Sequence, residues 1–339
     1  MAVRAATPMR TAILATLALL LPATVVVAPP ALAIDCTGTS TGLVPLTDLG
    51  QGSYQGFEGG LYPGGGNERP ATHTLLGEAL ATLAMPRDLA GNPDPLLGKL
   101  VFLSIGMSNT RNEFTTFVPL SNADPDRHPQ VVAFNGAIGG QDARRIADPQ
   151  SAYWQQVLTM LVGAGLSPLQ VQAVWLKEAI AGPTAGFPAA TEELRDLLRQ
   201  IVQDIQLYFP NAHLVYMASR IYAGYATTSL NPEAYAYESG FAVKWLIEEQ
   251  LASPATFVTL QEPTSGVLLP WLSWGPYLWA DGTTPRGDDG LVWLCSDFNS
   301  DGTHPNGQGS RKVADLLMDF VHTDSTAKIW YEHAGTDPV

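Results

Sequence analysis

Four short apolar runs recur along the chain, at 99–105, 131–134, 171–176 and 213–218. Their length, and the turn-forming residues that bound them, suit buried β-strands. The stretches between them follow a helical period. Residues 151–163 form one such stretch. In the next, Thr191 is placed to cap a helix with Glu192 and Glu193 in its first turn, and Leu194, Leu197, Leu198, Ile201 and Ile205 make its apolar stripe. Residues 233–250 form another. The last runs over 309–321, with Val313, Leu316, Leu317, Phe320 and Val321 on one side. Strands alternating with helices predict an α/β chain: a three-layer α/β/α sandwich with a central, mostly parallel sheet and right-handed crossovers.

Three regions depart from this rhythm. Residues 34–98 open with Gly, Thr, Ser and Pro and include Gly59-Gly60-Leu61-Tyr62-Pro63-Gly64-Gly65-Gly66. They are expected to form an irregular lead-in packed on a domain spanning 99–339. No Gly-Lys-Ser/Thr follows the glycines, so a phosphate loop is excluded. Residues 261–290 carry Trp271, Trp274, Tyr277 and Trp279. These rings are expected to pack over the sheet, with a sugar-stacking platform as the alternative. Residues 1–33 read as a processing signal. Arg4 and Arg10 precede an apolar run, and Ala31-Leu32-Ala33 fits a small-residue cleavage site. The chain is therefore expected to be secreted after cleavage near Ala33, with no membrane attachment afterwards.

Cleavage would leave 16 basic against 32 acidic side chains, a formal charge of −16. That charge argues against nucleic acid as a partner, because phosphates need a basic face. Cys36 and Cys295 are the only cysteines. In an oxidising compartment such a pair is expected to be bridged, which would tie the lead-in to the segment before Asp301.

The candidate chemistry sits in Asp301-Gly302-Thr303-His304-Pro305-Asn306. An acid three residues before a histidine can hold one ring nitrogen while the other serves a nucleophile as base. Ser108 follows the first strand directly, where a parallel sheet presents its ligands. Gly139 and Gly140 follow the second and let a backbone N–H approach a reacting oxygen. Asp297-x-Asn299-x-Asp301-Gly302 also matches the opening of a calcium loop. Gln308 stands where that loop wants a bidentate Glu, and Pro305 occupies its ninth position. No metal or cofactor is expected.

These blocks resemble those of the SGNH, or GDSL-like, hydrolases, and they fall in the family's order. Gly106-Met107-Ser108-Asn109 resembles the Gly-x-Ser-Asn form of sialate O-acetylesterases and acetylxylan esterases. Asn135 to Gly140 resembles the second block, and the Asp301–His304 block is similar to the last. The resemblance implies a flavodoxin-like fold with Ser108, Asp301 and His304 as catalytic residues. It gives oxyanion roles to the N–H groups of Ser108 and Gly140. The family's third-block Asn is missing: the strand ends in Trp175-Leu176-Lys177-Glu178. Lys177 either supplies an oxyanion donor or pairs with a carboxylate and orders the loop. The implied function is a secreted serine esterase acting on a small-molecule or carbohydrate ester, with a carbohydrate O-deacetylase as the expected branch. The alternative is a non-catalytic carbohydrate- or ligand-binding protein on the same scaffold.

Overall fold

A computed structural model describes residues 1–3, 34–252 and 269–333. The central sheet consists of β3 (Leu100–Gly106), β4 (Val131–Asn135), β5 (Val171–Lys177), β6 (Leu214–Ala218) and β7 (Trp271–Trp274). All are parallel, in the order β4-β3-β5-β6-β7. The chain starts in the second position, steps outward once, then crosses back and proceeds the other way. The reversal lies between β3 and β5, and in such sheets a crevice forms there, outside the carboxyl ends of the strands. Every residue of β3, β5, β6 and β7 is buried. Hence these strands read as continuous apolar runs rather than alternating ones.

Helices cover both faces. On one lie α3 (Ser108–Ala123) and the C-terminal pair α8 (Gly307–Thr323) and α9 (Ala327–Tyr331). On the other lie α4 (Ala143–Ile146), α5 (Ala152–Gly163), α6 (Ala189–Tyr208) and α7 (Tyr235–Ala252). Two boundaries differ from the sequence expectation. Helix α6 begins before Thr191, with Pro188 at its N-cap, so Thr191 lies inside the first turn and is buried. Helix α8 begins at Gly307 because Asn306 caps it, its Oδ1 accepting from Gln308 N at 2.8 Å and Gly309 N at 3.3 Å.

The lead-in is more regular than its composition implies. It holds α1 (Leu46–Leu49), the small antiparallel pair β1 (Ser53–Tyr54) and β2 (Phe57–Glu58), and α2 (Ala71–Ala81). Helix α2 lies against β7, a strand absent from the sequence expectation. Gly77 permits this, since a Cβ there would come within 2.4 Å of the Trp271 ring. A strand at the end of a sheet leaves N–H and C=O groups unpaired. Here side chains take them up. Gln250 Oε1 accepts from Leu272 N at 2.7 Å, and His73 Nε2 lies 2.8 Å from Leu272 O. His73 is therefore buried at the sheet edge, stacked on Trp271, and far in role from any site residue. The aromatic segment packs as core: Trp271 and Trp279 are fully buried, and Trp274 donates to Leu61 O at 2.8 Å.

The Cys36–Cys295 disulfide closes 259 residues of chain. Nearby, Asp281 accepts from Thr41 N at 2.6 Å and Thr41 Oγ1 at 2.7 Å, so the start of the lead-in has two anchors. Among the described residues, no helix is long and apolar enough to cross a membrane. The processing signal read at 1–33 falls almost wholly outside the described residues.

Two stability outcomes are expected. The double variant Cys36→Ser/Cys295→Ser should lose about 2–4 kcal/mol in denaturant titrations, because its unfolded chain is no longer cross-linked. Asp204 is buried in α6 with one carboxylate oxygen unpartnered, and burial pushes its pKa from 3.8 up to about 6 against the hydrogen bond from Gln200. The folded state thus holds this proton more tightly than the unfolded one, and stability falls as pH rises through that window. Asp204→Asn should be more stable than wild type at pH 8, by about 1–3 kcal/mol in denaturant titrations, and match it near pH 4.

Candidate active site

Strand β3 ends in Gly106, whose φ is +155°. A Cβ there would sit 2.2 Å from Lys177 O and 2.5 Å from Thr110 Oγ1, so only glycine lets β3 leave the sheet this close to β5. Two residues later Ser108 opens α3, half-buried at the carboxyl end of the sheet. Its Oγ lies 2.7 Å from His304 Nε2. His304 Nδ1 lies 2.6 Å from Asp301 Oδ2. The side chains of His304 and Asp301 are 24% and 37% exposed, so the arrangement is open to solvent.

The loop carrying the pair is built to hold it. Asp301 Oδ1 accepts from the backbone N–H of both Thr303 and His304 at 3.0 Å. Burial pushes the Asp301 carboxyl up, but these two N–H groups and the His304 ring together hold it below its ordinary value. It therefore stays ionised. Gly302, at φ +64°, brings the loop onto the 225–226 backbone; a Cβ would meet Tyr225 O at 2.0 Å. Asn299 N donates to His304 O and Asn306 N to Asp297 O, both at 2.9 Å, closing the loop at its base. Asn306 Nδ2 also donates to Ser296 O at 2.7 Å.

Asn109 and Asn135 join the separate segments. Asn109 Nδ2 donates to Thr303 O at 3.1 Å, linking the residue after Ser108 to the residue before His304. Asn135 accepts from Ser104 Oγ at 2.8 Å and donates to Arg111 O at 2.8 Å, seating the end of β4 against β3 and α3. From there the chain runs beside the turn from Gly106 to Ser108, with Ile138 N donating to Gly106 O at 2.9 Å. Gly140 lies beyond it at φ +76°, exposed, with open space where a Cβ would be.

Lys177 requires a correction. It is 1% exposed, and its Nζ lies 2.5 Å and 2.6 Å from the two oxygens of Glu113, itself fully buried. An ammonium sealed beneath α3 and bound to both oxygens of a carboxylate does not face an incoming ester, so it is not the oxyanion donor. Of the two readings open from sequence, pairing with a carboxylate is the one the geometry supports, and the partner is Glu113 rather than Glu178. Burial pushes the Lys177 pKa down to about 8, against the pull of Glu113. Glu178 is also buried, its carboxyl raised by burial, and its Oε1 accepts from Ala179 N at 2.7 Å. Arg220, 2% exposed, completes this cluster near Glu113, Glu178 and Asp301.

The structure also weighs on the calcium pattern. Asp297 Oδ2 accepts from Leu294 N at 2.7 Å and lies 2.5 Å from Lys312 Nζ, while Asp301 is engaged by the histidine loop. Among the described residues, no group of three or more His, Cys, Asp or Glu side chains could hold a metal ion.

Glu113 had a signal in the sequence that the strand-end motifs obscured. It lies on the inward stripe of α3 with Thr110, Phe114, Phe117 and Ser121. An acid at an inward helix position calls for a buried cation, and Lys177, ending an apolar strand, is that cation.

No protein-family model matches the chain, and no curated protein matches it. Among solved structures, the chain is similar to a carbohydrate esterase family 2 enzyme from Corynascus thermopiles. The identity is 16%, with 68% of each chain covered and a TM-score of 0.37. It is also similar to the periplasmic domain of the lipopolysaccharide acetyltransferase of Salmonella ser. Paratyphi A, at 14% identity over 74% of this chain and 94% of that one, TM-score 0.36. A third is a candidate SGNH hydrolase from Slackia heliotrinireducens, at 16% identity over 66% of this chain and all of that one, TM-score 0.33. At such identities and TM-scores the likeness carries no functional argument.

Replacing Gly302 with Ala should test the loop's construction. The added methyl group meets backbone, which cannot swing aside, and the residue would hold a left-handed conformation. The expected result is a destabilised loop with the His304 ring displaced, read as a lower melting temperature and a loss of activity larger than that of Gly140→Ala.

Proposed function

We propose that the chain is a secreted serine esterase that cleaves a carboxylic ester by two-step acyl transfer, with carbohydrate O-deacetylation as the substrate branch. The observation that carries this reading is the continuous hydrogen-bonded row from Ser108 Oγ through the His304 ring to Asp301, at 2.7 Å and 2.6 Å. With Nδ1 protonated and held by the carboxylate, Nε2 is the free base that faces the hydroxyl. His304 takes the Ser108 proton as Oγ bonds to the ester carbonyl carbon. The C–O bond to the alcohol then breaks, and the proton passes from Nε2 to the leaving oxygen. Water, activated by the same nitrogen, releases the acid and returns Ser108.

The negative oxygen that forms at each addition needs donors already in place. The backbone N–H groups of Ser108 and Gly140 take this role in the proposal. With Lys177 engaged by Glu113, no side-chain cation is assigned to it. The carbohydrate branch is supported by the Gly-x-Ser-Asn form at 106–109, and the partial exposure of His304 and Asp301 leaves the row reachable from solvent. Export is supported by the residue pattern of 1–33 and by the Cys36–Cys295 bond, which needs an oxidising compartment.

Release of p-nitrophenol from its acetate ester provides the test. Ser108→Ala and His304→Ala should each lower kcat/KM by about 10⁴-fold or more, with melting temperatures near wild type. A chelator should leave the rate unchanged. Equal rates for wild type and both variants would remove the esterase reading and favour a binding protein on this scaffold.

A further inference from the structure

A base and a nucleophile work only while their separation is held, and a misplacement of about 1 Å can cost about 10²-fold in rate. Ser108 is the first residue of α3, so its position follows the seating of that helix on the sheet. The helix start has little of its own to fix it: Met107, at the N-cap, makes no side-chain cap bond. Asn135 holds α3 from the end of β4, through Arg111 O and Thr115 Oγ1, and on the β5 side a single residue holds it at two points. Lys177 O accepts from Thr110 Oγ1 at 2.6 Å, and Lys177 Nζ holds both oxygens of Glu113. Thr110 and Glu113 are three residues apart and lie on one face of the helix. Lys177 therefore holds α3 at two points one turn apart, just below Ser108.

Stability alone does not account for an ion pair in this place. Taking both charges out of water costs several kcal/mol per ion, and apolar side chains of similar volume often serve the fold equally well or better. What a bidentate pair supplies and an apolar contact lacks is direction. We propose that the Lys177–Glu113 pair is a positioning device for the nucleophile, setting the seat of α3 and hence the reach of Ser108 Oγ to His304. The inference rests on the esterase reading for its kinetic consequence, though not for its geometric one. Arg220 and Glu178 are the titratable groups near Lys177 besides Glu113, and Arg220 is also near Glu113.

Two variants test it. Glu113→Asp keeps both charges and shortens the tether by one methylene. Lys177→Met/Glu113→Leu removes the charges and keeps the volume. Each is expected to lower kcat for p-nitrophenyl acetate by about 10–100-fold with KM within about 2-fold of wild type, while the melting temperature of the apolar pair stays at or above wild type. Adding Lys177→Arg to Glu113→Asp should recover most of the lost kcat, because the longer cation spans the gap. Wild-type kcat in the folded apolar pair, or a raised KM at unchanged kcat, would overturn the inference. If the apolar pair does not fold, Glu113→Asp decides by the same split. A crystal structure of Glu113→Asp reads the geometry without turnover. A Ser108–His304 separation beyond about 3.5 Å is the expected result, and an unchanged separation overturns the inference. A wild type that hydrolyses no ester overturns the esterase reading alone and leaves this separation to decide the positioning.

Discussion

The hydrogen bond between Ser108 and His304 joins residues 196 positions apart, and the segments around it are arranged to keep it short. One side is fixed by the sheet. Gly106 allows β3 to run against Lys177 before turning into α3, which places Ser108 at the point where the strand order reverses. The other side is fixed by a closed loop between Asp297 and Asn306, tied at its base by backbone bonds and at its end by the cap of α8. Asn109 then links the two directly. The disulfide enters just before this loop and secures it to the lead-in. A relay made from distant segments is only as well defined as its supports, and here each support is itself hydrogen-bonded or covalent.

The interior beneath that relay is charged rather than apolar. Lys177, Glu113, Glu178 and Arg220 are each at most 2% exposed, at the carboxyl ends of β5 and β6 and the inner face of α3. Groups so deeply buried are retained at a cost in solvation. The cost is partly offset by the Lys177–Glu113 pair, whose two short bonds lie under the start of α3. The Lys177 side chain at the end of β5 points into the α3 interface, where it meets Glu113. In the proposed reaction the oxyanion donors are the backbone N–H groups of Ser108 and Gly140.

Much of this was legible in the sequence, because period and turn chemistry act locally. The four apolar runs are strands to within a residue or so, and their alternation with helices gives the layering. The Asp301–His304 spacing is itself a loop geometry, so the pair could be named without coordinates. What escaped depends on long-range packing. Strand β7 reads as an aromatic, Pro-flanked stretch, since its strand character comes from β6 on one side and from Gln250 and His73 on the other. Helix α2 has no cap signal and is stabilised by its contact with Trp271. Lys177 could be assigned to either of two roles until Glu113 was seen to meet it.

The most direct test of the account is the intact mass of the protein after reaction with a fluorophosphonate, followed by mapping of the labelled peptide. A hydroxyl activated by its histidine reacts with this probe, while ordinary surface serines do not. The account requires a single adduct on Ser108, formed in wild type and absent from His304→Ala. Unmodified wild-type protein, or an adduct on another residue, would contradict it.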